Sequence, residues 1–304
     1  MIYHFCTIST HDHLYKAYAL FDSIAAQGYD CRLHLLCTDA RLIYPQPHEH
    51  IITYQLCNLE GDTARAIQEK YARQKDALRW SLKPVFMNYL LSEQGVEQLI
   101  YADNDICFYS DYTFLFGLLT QYSFLLTPHH YDRSPRERQN WLEANFRVGL
   151  YNAGFAGASK AGCATLAWWA ESCLYCCEKN MWRGLFDDQK YLDLIPIVDP
   201  LAHIVQHKGC NVAEWNRTIC KRSIIDGQVF INGQYPVVFI HFNSTTIREI
   251  MDQNDPLLIP LFEQYMMRIN KYNSSISKQA MYVPYLQLDR IKLALWQWAT
   301  DRGM

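Results

Sequence analysis

The chain lacks the short signatures that most often identify a nucleotide-binding protein. No Gly-x-Gly-x-x-Gly follows its first apolar stretch and no Walker-type glycine loop occurs, which argues against a dinucleotide-binding fingerprint and a P-loop NTPase. No run reaches 18 apolar residues; residues 112–127 come nearest but are broken by Thr, Gln and Ser, so no membrane-spanning helix is expected. Neither sign of charge dominates. The 28 Lys and Arg against 31 Asp and Glu leave a net charge of −3, which removes the electrostatic case for nucleic acid as a partner. The 11 cysteines are odd in number and show no disulfide-framework spacing, a usage suited to a reducing compartment. Met1 runs directly into a strand-like IYHFCTI without a basic segment or cleavage pattern. The expected location is cytoplasmic, or outside by a route that leaves no N-terminal signal.

What the chain does have is apolar mass. Half of its 304 residues are hydrophobic and 14% are aromatic, enough for a large core with amphipathic rims. Ile2–Ile8 alternates and reads as a first strand. Asp12 is a fair N-cap for a helix over Leu14–Gln27, with Gly28 as its C′ residue. Cys31–Cys37 and Ile51–Cys57 read as further strands. A β–α–β opening predicts an α/β fold with a Rossmann-like, mostly parallel central sheet flanked by helices. Ligands of such sheets bind beyond the carboxyl ends of the strands, where Thr7, Ser9 and Asp39 fall. Each of the three serves equally well as a turn or cap residue. Residues 62–94 predict two helices or one bent one. Pro84 suits the first turn of a new helix, which would set Arg79 and Lys83 near a positive helix end.

The most informative stretch is LIYADNDICFYSD, residues 99–111. An apolar strand runs into Asp103-Asn104-Asp105 and the chain then turns apolar again. Two carboxylates one residue apart at a strand end repel and resist burial. A divalent cation resolves both costs, and Asp oxygens suit Mg²⁺ or Mn²⁺ with positions left for phosphate. Asp-x-Asp is also ordinary turn chemistry. Residues 112–120 predict a short helix, and 122–127 a strand. Residues 128–140 (PHHYDRSPRERQN) form a polar loop suited to an acceptor side, with His129 and His130 at its base. Residues 149–160 (GLYNAGFAGASK) offer little side-chain volume around Asn152, Ala153 and Gly154, so either a ligand approaches the backbone there or a glycine-bearing strand carries a bulge. Residues 161–180 predict a helix with Trp168, Trp169 and Cys173, Cys176 and Cys177, the last three read as buried thiols. Asp187-Asp188-Gln189 precede a short apolar helix, as caps or as a carboxylate and amide facing a substrate. A strand over Val237–Phe242 ends near His241, which could complete the coordination begun by Asp103 and Asp105. His203 and His207 lack the surroundings of a zinc site. The tail from Asp255 reads as helical; residues 285–299 would either pack on the domain or touch a membrane surface peripherally, packing being favoured.

An apolar strand into Asp-x-Asp, then Asn-Ala-Gly-Phe, then Asp-Gln before an apolar helix, then a strand ending in His, is an ordered set. It resembles the GT-A glycosyltransferases, nearest the retaining family 8 type and its bacterial relatives, over roughly residues 1–250. The resemblance implies a GT-A nucleotide-sugar-binding and catalytic domain at 1–250 and a helical C-terminal extension at 251–304 packed on it. By position, Asp103, Asp105 and His241 would hold Mn²⁺ or Mg²⁺ on the diphosphate of a nucleoside-diphosphate sugar, with Asn104 between the two carboxylates. Thr7, Ser9 and Asp39 would face base and ribose, and Lys83 the phosphates. Asn152, Ala153 and Gly154 would border the sugar, with Asp188 and Gln189 near the anomeric carbon as the catalytic pair. The glycine and lysine that the family carries after its histidine are absent; residues 242–248 read FNSTTIR, and Arg248 could substitute. The implied function is metal-dependent transfer, with retention, from a UDP-sugar to a glycan, lipid-linked or protein acceptor, with cell-envelope glycan the family habit. Two other classes fit part of the pattern. An Asp-x-Asp phosphatase would want the motif after the first strand and a Thr or Val behind it, where Ile106 stands. A non-catalytic nucleotide-sugar binder or scaffold is disfavoured by the presence together of Asp103, Asp105, Asn152, Asp188 and His241.

Overall fold

The computed structural model describes residues 2–39 and 47–284. Its strands, in chain order, are β1 (Tyr3–Ser9), β2 (Cys31–Cys37), β3 (Ile51–Gln55), β4 (Gln98–Ala102), β5 (Ile106–Phe108), β6 (Phe124–Pro128), β7 (Tyr151–Ser159), β8 (Lys179–Asn180), β9 (Leu185–Phe186), β10 (Ala202–Ile204), β11 (Arg222–Ile225), β12 (Gln228–Ile231), β13 (Tyr235–Pro236) and β14 (Phe239–His241). The α-helices are α1 (Leu14–Ala25), α2 (Asp62–Lys70), α3 (Lys75–Ser92), α4 (Thr113–Leu119), α5 (Gln139–Arg147), α6 (Cys163–Tyr175), α7 (Ile195–Val198), α8 (Ser244–Met251), α9 (Ile259–Tyr272) and α10 (Lys278–Met281).

Seven strands form the central sheet in the order β10-β6-β7-β4-β1-β2-β3. The pairs β10/β6, β4/β1, β1/β2 and β2/β3 are parallel, while β7 runs antiparallel to both its neighbours. The sheet is covered on both faces, so its central strands are apolar nearly throughout rather than alternating. One face packs Leu99, Tyr101, Leu126 and Ala156 against α3 and α6, where Phe86, Leu90 and Trp169 are buried. The other packs Phe5, Leu33, Ile100 and Phe155 against α1 and α4. Gly28 closes α1 with a left-handed φ of 81°, as its position predicts.

Two local expectations fail. Asp12 caps nothing: it sits inside a short 3-10 turn, His11–His13, that leads into α1. Pro84 does not open a helix but lies inside α3, buried, so Arg79 and Lys83 are mid-helix residues rather than neighbours of a positive helix end. An interior proline forfeits a backbone hydrogen bond at a cost of about 3 kcal/mol; the buried face of α3, from Leu82 to Leu91, offsets it.

β5 leaves the main sheet and pairs antiparallel with β14. Behind that pair a third cluster forms, in which Ile240, Phe242 and Ile247 meet Phe262, Tyr265 and Ile269 of α9. Helix α9 is tied to α1 by Asp22, which binds Lys271 Nζ and Tyr272 Oη at 2.7 Å each. Among the described residues no helix is long and apolar enough to cross a membrane. The amphipathic stretch at 285–299 lies outside the described residues.

Candidate active site

Strand register brings the acidic loop, the small-residue strand and the histidine together. Tyr101 pairs with Ala156 and Ala102 with Phe155, so the next backbone bond along, Asp103 N–H to the Gly154 carbonyl at 2.7 Å, stitches the acidic loop to β7. On the other side Ile106 pairs with His241, and Phe242 N–H donates to the Asp105 carbonyl at 2.8 Å. Asp103, Asp105 and His241 therefore converge, with one ligand atom from each lying within 4.8 Å of the other two. Cis and trans ligands of an octahedral Mg²⁺ or Mn²⁺ lie about 3 and 4 Å apart, given metal–oxygen distances of about 2.1 Å. Two carboxylates and an imidazole are a donor set those ions accept.

Gly154 supplies the fit test. A Cβ there would stand 2.5 Å from His241 Cε1, 2.6 Å from Asn152 Oδ1 and 3.0 Å from Asp103 Oδ2. The missing side chain leaves the room in which His241 and Asp103 approach one another. His241 Nε2 lies 3.1 Å from Asp105 Oδ1, and its Nδ1 is buried with no hydrogen-bond partner among the described residues. Burial opposes protonation of His241, but Asp105 and Asp103 outweigh it and raise its pKa. Burial likewise opposes ionisation of Asp105, and His241 reverses that and holds the carboxyl below the usual range. Loss of one proton leaves the imidazole ready to ligate.

Beneath the metal residues lies a buried ionic cluster. Lys83 Nζ sits 3.3 Å from Asp103 Oδ1 and 3.2 Å from Asp188 Oδ2, and donates to the Ala153 carbonyl at 3.0 Å. Burial works against the Lys83 ammonium; Asp103 and Asp188 more than restore it, so the lysine is held charged. Asp188 is only 2% exposed. Burial pushes its carboxyl up, Lys83 pulls it back, and Asp187 pushes it up again. Asp188 is fixed from behind by Trp169, whose Nε1 donates to its carbonyl at 2.9 Å.

Asn152 and Gln189 are locked together. Gln189 Oε1 accepts from Ala153 N–H at 3.2 Å and Asn152 Nδ2 at 3.4 Å, while Gln189 Nε2 donates to the Val148 carbonyl at 3.2 Å. Asn152 Oδ1 accepts from Gly154 N–H at 2.9 Å, and Asn152 Nδ2 also reaches His129 Nε2 at 3.2 Å. Of the residues read for the nucleoside, Ser9 is buried at the end of β1 and accepts from Asn104 Nδ2 at 3.0 Å. Thr7 is fully buried within β1. Asp39 is exposed and accepts from His11 N–H at 2.7 Å. Arg248 is buried in α8, its Nη1 donating to the Val283 carbonyl at 3.4 Å.

Several contributors went unread. Tyr101 Oη donates to Asp103 Oδ1 at 2.6 Å. Trp215 sets its ring edge-on to His241 at 5.5 Å and to His129 at 5.3 Å. Glu214, in the same segment, accepts from Thr246 Oγ1 at 2.6 Å and Asn243 Nδ2 at 3.3 Å. Tyr101 was visible as the aromatic two residues ahead of Asp103; Glu214 and Trp215 carried no periodic signal. His203 and His207 are packing residues, stacked on Tyr122 and set against Phe114.

Comparison with known proteins follows the same lines. No family model matches the chain. The Bacillus subtilis (strain 168) protein YfnD, itself uncharacterized, is 30% identical over 253 residues, covering 81% of this chain and 78% of YfnD. A second protein of that strain, YfnF, also uncharacterized, is 28% identical over 252 residues, 81% of this chain and 82% of YfnF. Among solved structures, the galactosyltransferase LgtC with donor and acceptor sugar analogues superposes with a TM-score of 0.57 at 11% identity, covering 93% of this chain and 98% of that one. Mouse xyloside xylosyltransferase 1, in its apo form, gives a TM-score of 0.50 at 16% identity, over 81% of this chain and 99% of that one. The shared fold is GT-A.

Proposed function

Because the chain belongs to the family of the Bacillus subtilis protein YfnD and has the GT-A fold, we propose that it is a metal-dependent glycosyltransferase. It moves a sugar from a nucleoside-diphosphate sugar, UDP being the nucleotide we put first, to a hydroxyl acceptor. The observation that carries this reading is the convergence of Asp103, Asp105 and His241 over the space left by Gly154. Asp103, Asp105 and His241 would hold Mn²⁺ or Mg²⁺. When bound, the cation supplies Lewis-acid stabilisation of the charge that grows on the departing diphosphate.

The chain's own residues do the rest. Lys83 offsets the negative charge of Asp103 and Asp188 and holds both carboxylates in place. Asp188 presents a carboxylate beneath the reacting sugar, where it stabilises a centre of oxocarbenium character or anchors a sugar hydroxyl. The Asn152–Gln189 pair fixes the strand start that borders the sugar. Ser9 and Asn104 hold the rim on which the nucleoside rests, with Thr7 behind them and Asp39 at the opening. Retention follows from the family resemblance; the anomeric proton signal of the product reads it. A cytoplasmic location fits the cysteine usage.

Calorimetric titration with UDP and then GDP, with and without Mn²⁺, tests the reading alongside an Asp103→Ala/Asp105→Ala variant. Metal-dependent binding of one nucleotide, lost in the variant, is the expected result and names the base. Absence of binding with either nucleotide removes the proposal's main support. Phosphatase activity without sugar transfer would favour the second reading of Asp-x-Asp.

A further inference from the structure

The connection between β6 and β7 carries a feature that the metal site does not use. An open cavity of about 450 Å³ lies against it, lined among others by His130, Tyr131, Arg133, Asn145, Tyr151 and Lys208. Burial lowers the pKa of His130, and the charges of Lys208 and Arg133, which line the cavity with it, lower it further. Neither cation makes an ion pair or hydrogen bond among the described residues. The nearest acidic neighbour in sequence, Asp132, is buried and accepts from Ser134 N–H at 2.9 Å. The cavity lining thus carries two cations and no carboxylate, and like charges facing one space repel. An anion in the cavity relieves that repulsion, and a planar guanidinium with an adjacent ammonium suits phosphate or carboxylate oxygens. Tyr151, Asn145 and Gln206 complete the polar part of the lining.

The cavity adjoins the candidate active site along the chain. His130 and Pro128 flank His129, whose ring meets Asn152, and Tyr151 adjoins Asn152 in β7. The Pro128 carbonyl also accepts from Asn211 Nδ2 at 3.3 Å.

We infer that this cavity is a binding site for an anionic sugar unit, its phosphate or carboxylate held by Arg133 and Lys208. As the acceptor subsite of a transfer reaction it rests on the function proposed above; as an anion site it stands by itself. Both chemistries share the same recognition, and their source is separated by the probe.

The full chain is titrated with glucose 6-phosphate, glucuronate and glucose, each with UDP and Mn²⁺ in excess so that the metal site is filled. Both charged sugars, or the phosphate alone, are expected to bind more tightly than glucose. Phosphate alone names a phosphorylated acceptor; both name acidic sugars in general. Each single variant, Arg133→Gln or Lys208→Gln, should weaken that binding about tenfold, the loss of one charge-assisted contact, and the double Arg133→Gln/Lys208→Gln by more. Each single variant is run beside the double, with melting curves, so that a folding defect does not decide the result. Asp103→Ala/Asp105→Ala should leave binding of the charged sugars intact. Equal binding of glucose, no binding of any probe, survival of the charged-sugar affinity in the folded double variant, or its loss in Asp103→Ala/Asp105→Ala would overturn the inference. None of these readouts needs turnover, so the transferase reading can fail while the anion site stands.

Discussion

Replacing Gly154 by Ala isolates the steric logic of the metal centre. Gly154 lies in β7 without a left-handed backbone angle, so its conformation accepts any L residue. On backbone entropy alone the substitution should stabilise the chain by about 0.5–1 kcal/mol. Geometry predicts the opposite sign. The added methyl meets His241 Cε1 at 2.5 Å and Asn152 Oδ1 at 2.6 Å, closer than real Cβ atoms come. Neither neighbour can retreat freely. His241 is buried and paired with Asp105, and Asn152 is buried in hydrogen bonds to Gly154 N–H, His129 and Gln189. Overpacking of this kind costs about 1–3 kcal/mol. Displacing a ligand set by a few tenths of an ångström weakens metal affinity by roughly 10–100-fold, the range seen when the groups that orient metal ligands are altered. Urea unfolding reads the first quantity, and Mn²⁺-dependent UDP titration the second. A Gly154→Ala protein as stable as the parent, with metal-dependent nucleotide binding intact, would refute the claim that this glycine leaves the room in which His241 and Asp103 approach one another.

Other perturbations follow from the same structure. Lys83→Met leaves Asp188 buried without its cation and should destabilise the chain by about 3–5 kcal/mol, while the same change on an Asp188→Asn background should cost clearly less; urea unfolding of the four proteins in EDTA measures the difference. Arg222 Nε lies 3.0 Å from Asp255 Oδ2 with both side chains buried, so Arg222→Met should cost about 3 kcal/mol and the double Arg222→Met/Asp255→Leu less, again by unfolding. His34 bonds His4 and Tyr54 and lies near Arg32; burial pushes its pKa down from 6.5 to about 3. The unfolded chain then takes up the proton first, so stability falls as pH drops below 6.5 and the loss stops growing near 3. By pH 5 it amounts to about 2 kcal/mol. Unfolding at pH 8 and pH 5 should show that excess slope in the parent and not in His34→Asn.

The parts of the site that were readable in sequence are those where hydrophobic pattern and charge change abruptly. Residues 99–105 read as strand then ligand loop because Leu99–Ala102 is apolar and Asp103–Asp105 is not, and His241 read as a strand end for the same reason. Lys83 belongs to the site for a different reason from the one its sequence suggests. Pro84 suggests a helix start but sits inside α3, and the lysine reaches the site through burial beneath Asp103 and Asp188. Helix α5 starts at the end of the polar stretch 128–140 and has little to announce it in sequence, since it buries no residue and leans only partly on Tyr131 and Ala213 through Trp141 and Ala144. The β11–β12 hairpin does carry a local signal in the sequence. Asp226-Gly227, both at positive φ, form a two-residue turn between Ile225 and Gln228. The positions of Trp169 and Trp215 against Asp188 and His241 are products of tertiary packing, which no local pattern encodes.

The reversed direction of β7 bears on how such a protein can change its acceptor. β6 ends, and β7 begins, on the rim where the parallel strands β1 and β4 end. The intervening stretch, residues 129–150, therefore leaves and re-enters the sheet along that single rim and never travels to the opposite side. It borders the metal centre through Asn152 at one anchor and His129 at the other. Such a segment can lengthen, shorten or exchange its charges while the strands that position Asp103, Asp105 and His241 keep their register. Exchanging the outer part of this segment between relatives, with His129 and Val148 kept because they bind Asn152 and Gln189, should alter what this rim binds while leaving the strand register in place.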